Sequence, residues 1–186
     1  MNTRVNNRKT VLLRKKNPLF KQIGTVSPEY CLEFVKHIHN WSLADTLRLR
    51  DKNNIGYDMS GLKSYNHSNI QYTTHPEPQT TDYNSVYEEY KPLVESIQSV
   101  IGNTYRMRWA KLDADSTLDW HMDPPTGDRF IIVIKGSHLC EVKFKDSIET
   151  QEMLPGEVWY LNSNWYHRVI NPNAQDRYAI LGCFNF

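Results

Sequence analysis

The segment LPGEVWYL at residues 154–161 decides the fold of this chain. Its proline and glycine favour a tight reversal, and the apolar and aromatic residues that follow favour a buried strand. From residue 104 to the end, similar short runs of Tyr, Trp, Ile, Val and Phe alternate with turn residues. This pattern is typical of an all-β unit.

About eight short strands are predicted in this region. Their expected starts lie near residues 104, 116, 129, 140, 148, 157, 167 and 177. Eight short antiparallel strands preceded by helices favour two packed sheets with helical support on one face. The predicted fold class is therefore mainly β with supporting helices, in the form of a double-stranded β-helix, a cupin-like jelly roll.

The segment before the strands, residues 27–103, is expected to supply helical support and a polar excursion. Ser27-Pro28-Glu29 predicts a helix start, because serine caps free N–H groups and proline suits the first turn. Residues 43–81 are polar and lack periodicity, which indicates a long loop with one or two short strands. A second helical stretch follows Asp82, and Pro92 is expected to kink or split it.

Residues 1–26 form a basic N-terminal segment with no acidic residue. A solvated or loosely packed arm is the simpler interpretation, because chain termini are often under-packed. The alternative is a tether to a polyanion or a partner protein, which scattered charges support only weakly. Residues 104–186 then form the catalytic core of what is expected to be a single domain.

Composition narrows the class of protein. The chain has 186 residues and a formal net charge of +1, which gives no global field arguing for nucleic acid or an anionic membrane. Its three cysteines lack the spacing of a zinc or redox site, which predicts a reducing compartment. No run approaches the roughly 18 to 20 apolar residues that span a bilayer, so a cytoplasmic protein is expected. The sequence does not indicate an oligomeric state.

A histidine and a carboxylate stand two positions apart in Trp120-His121-Met122-Asp123. In an extended strand, side chains at i and i+2 point to the same face, so both can reach one ion. His167 follows His121 by 167 − 121 = 46 residues, at the start of a later predicted strand. Two imidazoles and one carboxylate match the facial triad of non-haem iron(II) oxygenases.

Each ligand candidate also has a simpler interpretation when taken alone. A single histidine is more often a hydrogen-bonded polar group of the core, and an aspartate before Pro124-Pro125 is more often a turn residue. The joint pattern of His121, Asp123 and His167 favours the metal site.

Arg177 stands ten residues after His167, in the apolar run RYAIL. A buried arginine is costly without an anionic partner, and its fork of donors fits a carboxylate. A dicarboxylate cosubstrate that chelates the metal at its other end would satisfy this arginine. The competing interpretation is an ion pair with Asp176 or another acid. His138 is assigned to a hairpin tip away from the triad.

Together, His121-Met122-Asp123, the spacing to His167, and Arg177 resemble the aspartyl/asparaginyl β-hydroxylase branch of the 2-oxoglutarate oxygenases. The strand containing Gly156-Glu157-Val158-Trp159 matches the same pattern, and the resemblance covers residues 104–186. That branch also includes relatives that act on free proline. Its best-known members lack the metal-binding carboxylate that this chain has in Asp123.

The resemblance implies Fe(II), 2-oxoglutarate and O₂ as cofactor and cosubstrates, and hydroxylation of an amino-acid side chain. The substrate would be a small molecule such as free proline, or an Asp- or Asn-like residue in a peptide or protein. It also implies a second arginine about nine residues after the first histidine, which holds a carboxylate of cosubstrate or substrate. Arg129 is eight residues after His121 and is the nearest match.

Two other classes of protein share the predicted barrel. One is a catalytically inactive cupin-like binding module, which has little reason to keep a complete set of His, Asp, His and Arg. The other is a cupin dioxygenase that does not use 2-oxoglutarate. Arg177 argues against the second class, because that chemistry needs no buried anchor for a dicarboxylate.

Overall fold

A computed structural model of the protein describes residues 17–35, 46–50, 90–123 and 128–184. Two helices lie within these ranges: α1 (Pro28–Val35) and α2 (Lys91–Ile101). The strands are β1 (Phe20–Thr25), β2 (Thr46–Arg50), β3 (Thr104–Leu112), β4 (Ser116–His121), β5 (Asp128–Lys135), β6 (His138–Phe144), β7 (Ser147–Met153), β8 (Glu157–Leu161), β9 (His167–Asn171) and β10 (Arg177–Phe184).

The strands form two sheets, and all of their pairings are antiparallel. One sheet has six strands in the order β1-β8-β5-β10-β3-β2, and the other has four in the order β4-β9-β6-β7. From β3 to β10 the chain crosses repeatedly between the two sheets, which is the winding of a double-stranded β-helix. The predicted jelly-roll fold class is confirmed, and each of the eight predicted strand starts lies within two residues of an observed one.

Strand β5 shows why the two sheets pack as they do. Its residues 128–134 are all buried, because helices cover one face of the six-stranded sheet and the four-stranded sheet covers the other. Phe130, Ile132 and Ile134 pack with the helices, whereas Ile131 and Val133 face the interior between the sheets. The continuous apolar run FIIVI is thus what a strand covered on both faces requires.

Helix α1 begins as its sequence predicts. The Ser27 side-chain oxygen accepts a hydrogen bond from the Tyr30 N–H at 3.1 Å, and Pro28 is the first helical residue. The extension of this helix expected through Ile38 and Trp41 lies outside the described residues.

Helix α2 begins at Lys91, so Pro92 lies in its first turn, where a missing N–H costs no hydrogen bond. The kink or split expected at this proline stays a prediction, because it concerns the chain before Lys91. The helical stretch expected from Asp82 to residue 89 lies outside the described residues.

The N-terminal segment also differs from expectation at its end. Residues 20–25, which fall within the predicted loose arm, form β1 and pair with β8, with a bulge between Gln22 and Gly24. β8 supplies the hydrogen-bonding partner that makes this short, mixed-polarity segment a strand, and such a partner is not visible in the local sequence. Residues 1–16 lie outside the described part of the chain. Within the described residues, no helix is both long and apolar enough to cross a membrane.

Close packing surrounds Gly182 in β10, which pairs with Phe130 of β5. A Cβ atom added there would lie 2.5 Å from two ring carbons of Phe130 and 3.1 Å from Cγ of Met107. Both neighbours are fully buried. The six-stranded sheet therefore has no room for a side chain at this position.

Gly182→Ala is expected to lower the free energy of unfolding by about 1–3 kcal/mol, because overpacking a filled core costs about that much. Urea denaturation monitored by circular dichroism measures the change. Thr150→Ala, on the exposed strand β7, is the matched control and is expected to stay within about 0.5 kcal/mol of the wild type. Equal stability of the two variants would contradict the packing described here.

Candidate metal centre

The structure brings His121, Asp123 and His167 together. His121 is the last residue of β4 and His167 the first of β9, and the two are paired across these strands. Asp123 follows β4, where its N–H donates to the Ser163 carbonyl oxygen at 3.2 Å. One possible ligand atom from each of the three residues lies within 4.8 Å of the other two. This group can hold one metal ion.

The hydrogen bonds of the two imidazoles fix which nitrogen can bind a metal. Nδ1 of His121 lies 2.6 Å from the Asp119 carbonyl oxygen, and Nδ1 of His167 lies 3.0 Å from that of Trp165. A carbonyl only accepts, so each Nδ1 carries the proton and Nε2 carries the lone pair. The two ring centroids are 4.2 Å apart. Backbone carbonyls thus orient both rings so that Nε2 is the nitrogen available to a metal.

Burial also favours the neutral form of His167. The side chain is almost fully buried, and this burial, with the nearby His121, lowers its pKa to about 4. A neutral imidazole is the form that donates its lone pair to a metal. At neutral pH, no proton has to leave His167 before a metal can bind.

Arg129 lies beside the triad on β5. Its Nε donates to Oδ2 of Asp123 at 2.8 Å, and its Nη1 donates to Sγ of Cys183 at 3.2 Å. This ion pair orients the carboxylate of a candidate ligand, as outer hydrogen bonds commonly do around metals. The carboxylate-binding role that the family resemblance implies for Arg129 stays a prediction.

Arg177 begins β10 and is also buried, but it has no acidic partner among the described residues. Asp176 instead pairs with Lys111 at 3.1 Å and accepts from the Ala114 N–H, so the ion pair considered from the sequence does not form. Burial lowers the pKa of Arg177 to about 10, so the guanidinium is still charged at neutral pH.

The hydrogen-bonding partner of Arg177 is His138. Its Nη1 lies 2.5 Å from Nδ1 of His138, and both side chains are buried. Nε of Arg177 and Nε2 of His138 are also buried, and neither has a hydrogen-bond partner in the described part of the chain. Burial and the charge of Arg177 hold the pKa of His138 well below its usual range, so the imidazole is neutral.

The Arg177–His138 pair and the metal ligands lie in the same interior, the space between the two sheets. On β6, His138 shares a face with Cys140 and Val142, which pack in the core between the sheets, and Val142 pairs with His167. Val142 is four positions after His138, which is about 13 Å along the strand. Burial raises the pKa of the Cys140 thiol to about 12, and the charges of both Arg177 and Asp123 act on it.

The sequence-based assignment of His138 to a hairpin tip is wrong. The turn ends at Gly136 and Ser137, and His138 is the first residue of β6 and 1% exposed. The residues between His138, Cys140 and Val142 are Leu139 and Glu141, one apolar and one polar, so the local pattern alone does not show that this histidine points inward. Among the other described polar residues, Ser163 supports Asp123 through its backbone, because its carbonyl oxygen accepts the hydrogen bond from the Asp123 N–H.

This chain has similar proteins among solved structures, although the comparisons of its sequence found none. No protein-family model matches the chain, and no curated protein matches it. Among solved structures, oxalate decarboxylase from Bacillus subtilis is 16% identical, with a TM-score of 0.38, and covers 42% of this chain and 21% of its own. Vicilin from Solanum melongena is 19% identical, with a TM-score of 0.37, and covers 47% of this chain and 23% of its own.

A third similar structure is Drosophila melanogaster CENP-C bound to CAL1. It is 6% identical, with a TM-score of 0.37, over 40% of this chain and 58% of that one. This chain matches less than two thirds of each of the three. At these identities and TM-scores, the likenesses say nothing about activity, and the functional argument rests on the site itself.

The low pKa of His167 predicts acid sensitivity of the metal-free protein. Below about pH 6.5, its ordinary pKa, the unfolded chain binds a proton at this position, whereas the folded chain stays neutral until about pH 4. The free energy of unfolding is therefore expected to fall as the pH is lowered through that window. His167→Asn should show a shallower decline between pH 6.5 and 5, measured by urea denaturation at each pH. Identical slopes in wild type and variant would contradict this assignment.

Proposed function

We propose that this protein is an Fe(II)- and 2-oxoglutarate-dependent oxygenase that hydroxylates an amino-acid side chain. The observation that carries the proposal is a buried, charged arginine with no acidic partner among the described residues, inside the same barrel as a His, Asp and His group. A charge in that position costs free energy unless an anion binds it. A dicarboxylate spanning from a metal to Arg177 accounts for both features.

The donor set fits iron(II). Two neutral imidazole nitrogens and one carboxylate are the facial triad of non-haem iron oxygenases, and they leave open positions for a chelating cosubstrate and dioxygen. His121 and His167 present their Nε2 atoms to the metal, and Arg129 orients the Asp123 carboxylate by donating a hydrogen bond to Oδ2. Zinc sites with the same ligands are known in proteins, so the metal is assigned by the combination with Arg177.

When bound, iron(II) would supply the oxidising chemistry, in which O₂ and 2-oxoglutarate are converted to succinate, CO₂ and one hydroxyl group on the substrate. The chain's own residues bind and orient. Arg177 would hold the distal carboxylate of 2-oxoglutarate, and the apolar interior around Ile131, Val133 and Val142 would exclude water from the reacting end. Positioning is thus the main contribution of the protein.

The amino-acid substrate class comes from the resemblance to the aspartyl/asparaginyl β-hydroxylase branch. Both a free amino acid such as proline and an Asp- or Asn-like residue in a protein are consistent with the site. A cupin dioxygenase that does not use 2-oxoglutarate would account for the triad, but that function would not explain the buried charge of Arg177. An inactive module leaves both features unexplained.

Metal binding tests the first half of the proposal. Calorimetric titration of metal-free protein with Mn(II), a redox-stable substitute for Fe(II), is expected to show one site. His167→Ala should weaken it at least ten-fold, because one of three protein ligands is lost. Asp146→Asn, in the exposed turn between β6 and β7, removes a carboxylate elsewhere and should change nothing. Equal affinity in both variants would refute the site.

Cosubstrate binding tests the second half. Anaerobic addition of Fe(II) and 2-oxoglutarate is expected to give the weak visible charge-transfer band of the chelate. The 2-oxoglutarate concentration needed for this band is expected to depend on Arg177. Arg177→Met should raise the 2-oxoglutarate concentration for half-maximal absorbance about ten-fold or more, because hydrogen bonds to charged groups are lost. The control is Lys135→Met, which removes an exposed positive charge. Lys135 lies on the strand next to β10, opposite Tyr178, the residue after Arg177.

The three views differ in outcome. The oxygenase predicts a band that weakens in Arg177→Met and persists in Lys135→Met. An inactive module predicts no band in any variant. A dioxygenase independent of 2-oxoglutarate predicts metal binding without a band, and that result would refute the proposed cosubstrate.

A further inference from the structure

Strand β4 contains a β-bulge directly before one of the metal ligands. The pairing of β4 with β9 is regular up to Leu118 opposite Val169, and it resumes with His121 opposite His167. Between these two pairs β4 has two residues and β9 has one, so β4 carries one extra residue there. Bulges of this kind re-aim the side chains that follow them.

The extra residue decides which side chain of β4 faces the metal. Leu118 packs in the core between the sheets, and side chains alternate between the two faces along a strand. In a regular ladder, Trp120 would therefore face inward opposite His167, and His121 would lie on the outer face. The bulge reverses the two, so that His121 points inward and Trp120 outward.

Hydrophobicity at these two positions favours the regular ladder. That register would bury an apolar indole and leave a polar imidazole at the surface. β4 is also the edge strand of its sheet, so its register is held from one side. Oδ1 of Asp119 accepts from the Trp120 N–H at 2.7 Å, which satisfies a backbone donor within the bulge but exerts no hold on the indole. The bulged register therefore needs a further contribution that acts on the Trp120 ring.

Two cations on the outer face of the four-stranded sheet supply that contribution. Nζ of Lys143 lies 4.2 Å from the centroid of the Trp120 ring, and Cζ of Arg168 lies 4.9 Å from it. Arg168 is held in turn by Glu141 of β6, which accepts from its Nε at 2.6 Å. Aromatic faces attract cations electrostatically. Because both cations lie on the outer face, these contacts require the indole to lie there too.

We propose that Lys143 and Arg168 are positioning residues of the metal site: they hold the Trp120 indole on the outer face and so keep the register that turns His121 into the barrel. They act on His121 through the indole and the bulge. This inference rests on the metal site of the proposed function and is independent of the cosubstrate.

The test removes the two cations and keeps the indole. Lys143→Glu combined with Arg168→Gln takes both positive charges from the ring, and the glutamine can still donate to Glu141. The matched control is Lys145→Glu, which reverses another exposed charge two positions away, one that lies over the ring of Phe144.

The first readout is made on the metal-free protein. Nuclear Overhauser effects in protein labelled with ¹³C-histidine and ¹³C-tryptophan should show contact between the rings of His121 and His167, whose centroids are 4.2 Å apart, in the wild type and in the control. In the double variant this contact is expected to weaken by about half or more, and a contact between Trp120 and His167 should appear. Lys143→Glu alone, at an exposed position, should show a smaller change in the same direction and serves if the double variant does not fold.

The second readout is the affinity for Mn(II) by calorimetry. The double variant is expected to bind Mn(II) about five-fold more weakly than the control, since one exposed cation–π contact corresponds to about two- to five-fold in an equilibrium constant. Adding Trp120→Thr to the double variant should restore both the affinity and the contact between the histidine rings, because no indole is left to enter the barrel. General damage to the sheet predicts no such restoration.

The failures are distinguishable. An unchanged contact between His121 and His167 in the double variant, with the Mn(II) affinity of the control, would overturn the role of the two cations. Loss of both without restoration by Trp120→Thr would overturn it as well. Should the wild type show the histidine contact but bind no Mn(II), the proposed function fails while the change of register can still be observed.

Discussion

The pairing of β4 with β9 is the constraint on which the candidate site depends. It places His121 opposite His167, at the end of one strand and the start of the other, so that two imidazoles from distant parts of the chain become neighbours. Their ring centroids are 4.2 Å apart, a distance that the antiparallel ladder sets. A shift of one residue in this register would turn one imidazole to the other face of the sheet.

The register in turn depends on the packing of the two sheets. Leu118 of β4 and Val169 of β9 pack in the core between the sheets, so a slipped pairing would expose these side chains and bury polar ones. A second hydrophobic core lies between the six-stranded sheet and the helices and holds that sheet in place. Trp109 and Tyr160 are fully buried in this core. The site is therefore built on strands fixed by hydrophobic packing on both sides, which is the rigid support that precise ligand geometry needs.

Much of this arrangement could be predicted from the sequence, because it depends on local patterns. The strands from β3 to β10 are marked by turn residues and alternation, and the i, i+2 spacing of His121 and Asp123 places both near one point. Arg177 was recognisable because a charged residue in an apolar run is unusual. These inferences needed only neighbouring residues and the geometry of an extended chain.

The features that were missed depend on partners far away in the sequence. β1 is a strand because β8 offers an edge, and its own residues carry a weak signal. His138 follows Gly136 and Ser137, which indicate a turn, and only the depth of β6 in the barrel shows that the side chain is buried. The ion pair of Arg129 with Asp123 likewise depends on where β5 lies relative to the end of β4. Pairing and burial of this kind are settled by the tertiary structure.

Among the residues whose burial the structure describes, two arginines are buried in the barrel, and they differ in how their charges are offset. Arg129 has Asp123, so its charge is matched within the protein. Within the described part of the chain, the partner of Arg177 is a neutral imidazole, which accepts one hydrogen bond and offsets no charge. Leaving a buried donor unsatisfied costs about 1–3 kcal/mol, and an unpaired charge costs more. Folded proteins tolerate such unfavourable groups mainly at functional sites, where a bound ligand pairs with the unsatisfied donor or charge. The contrast between the two arginines therefore locates the ligand: the protein satisfies the charge beside the metal itself and leaves the charge at the far end of the barrel for an anion that enters from outside.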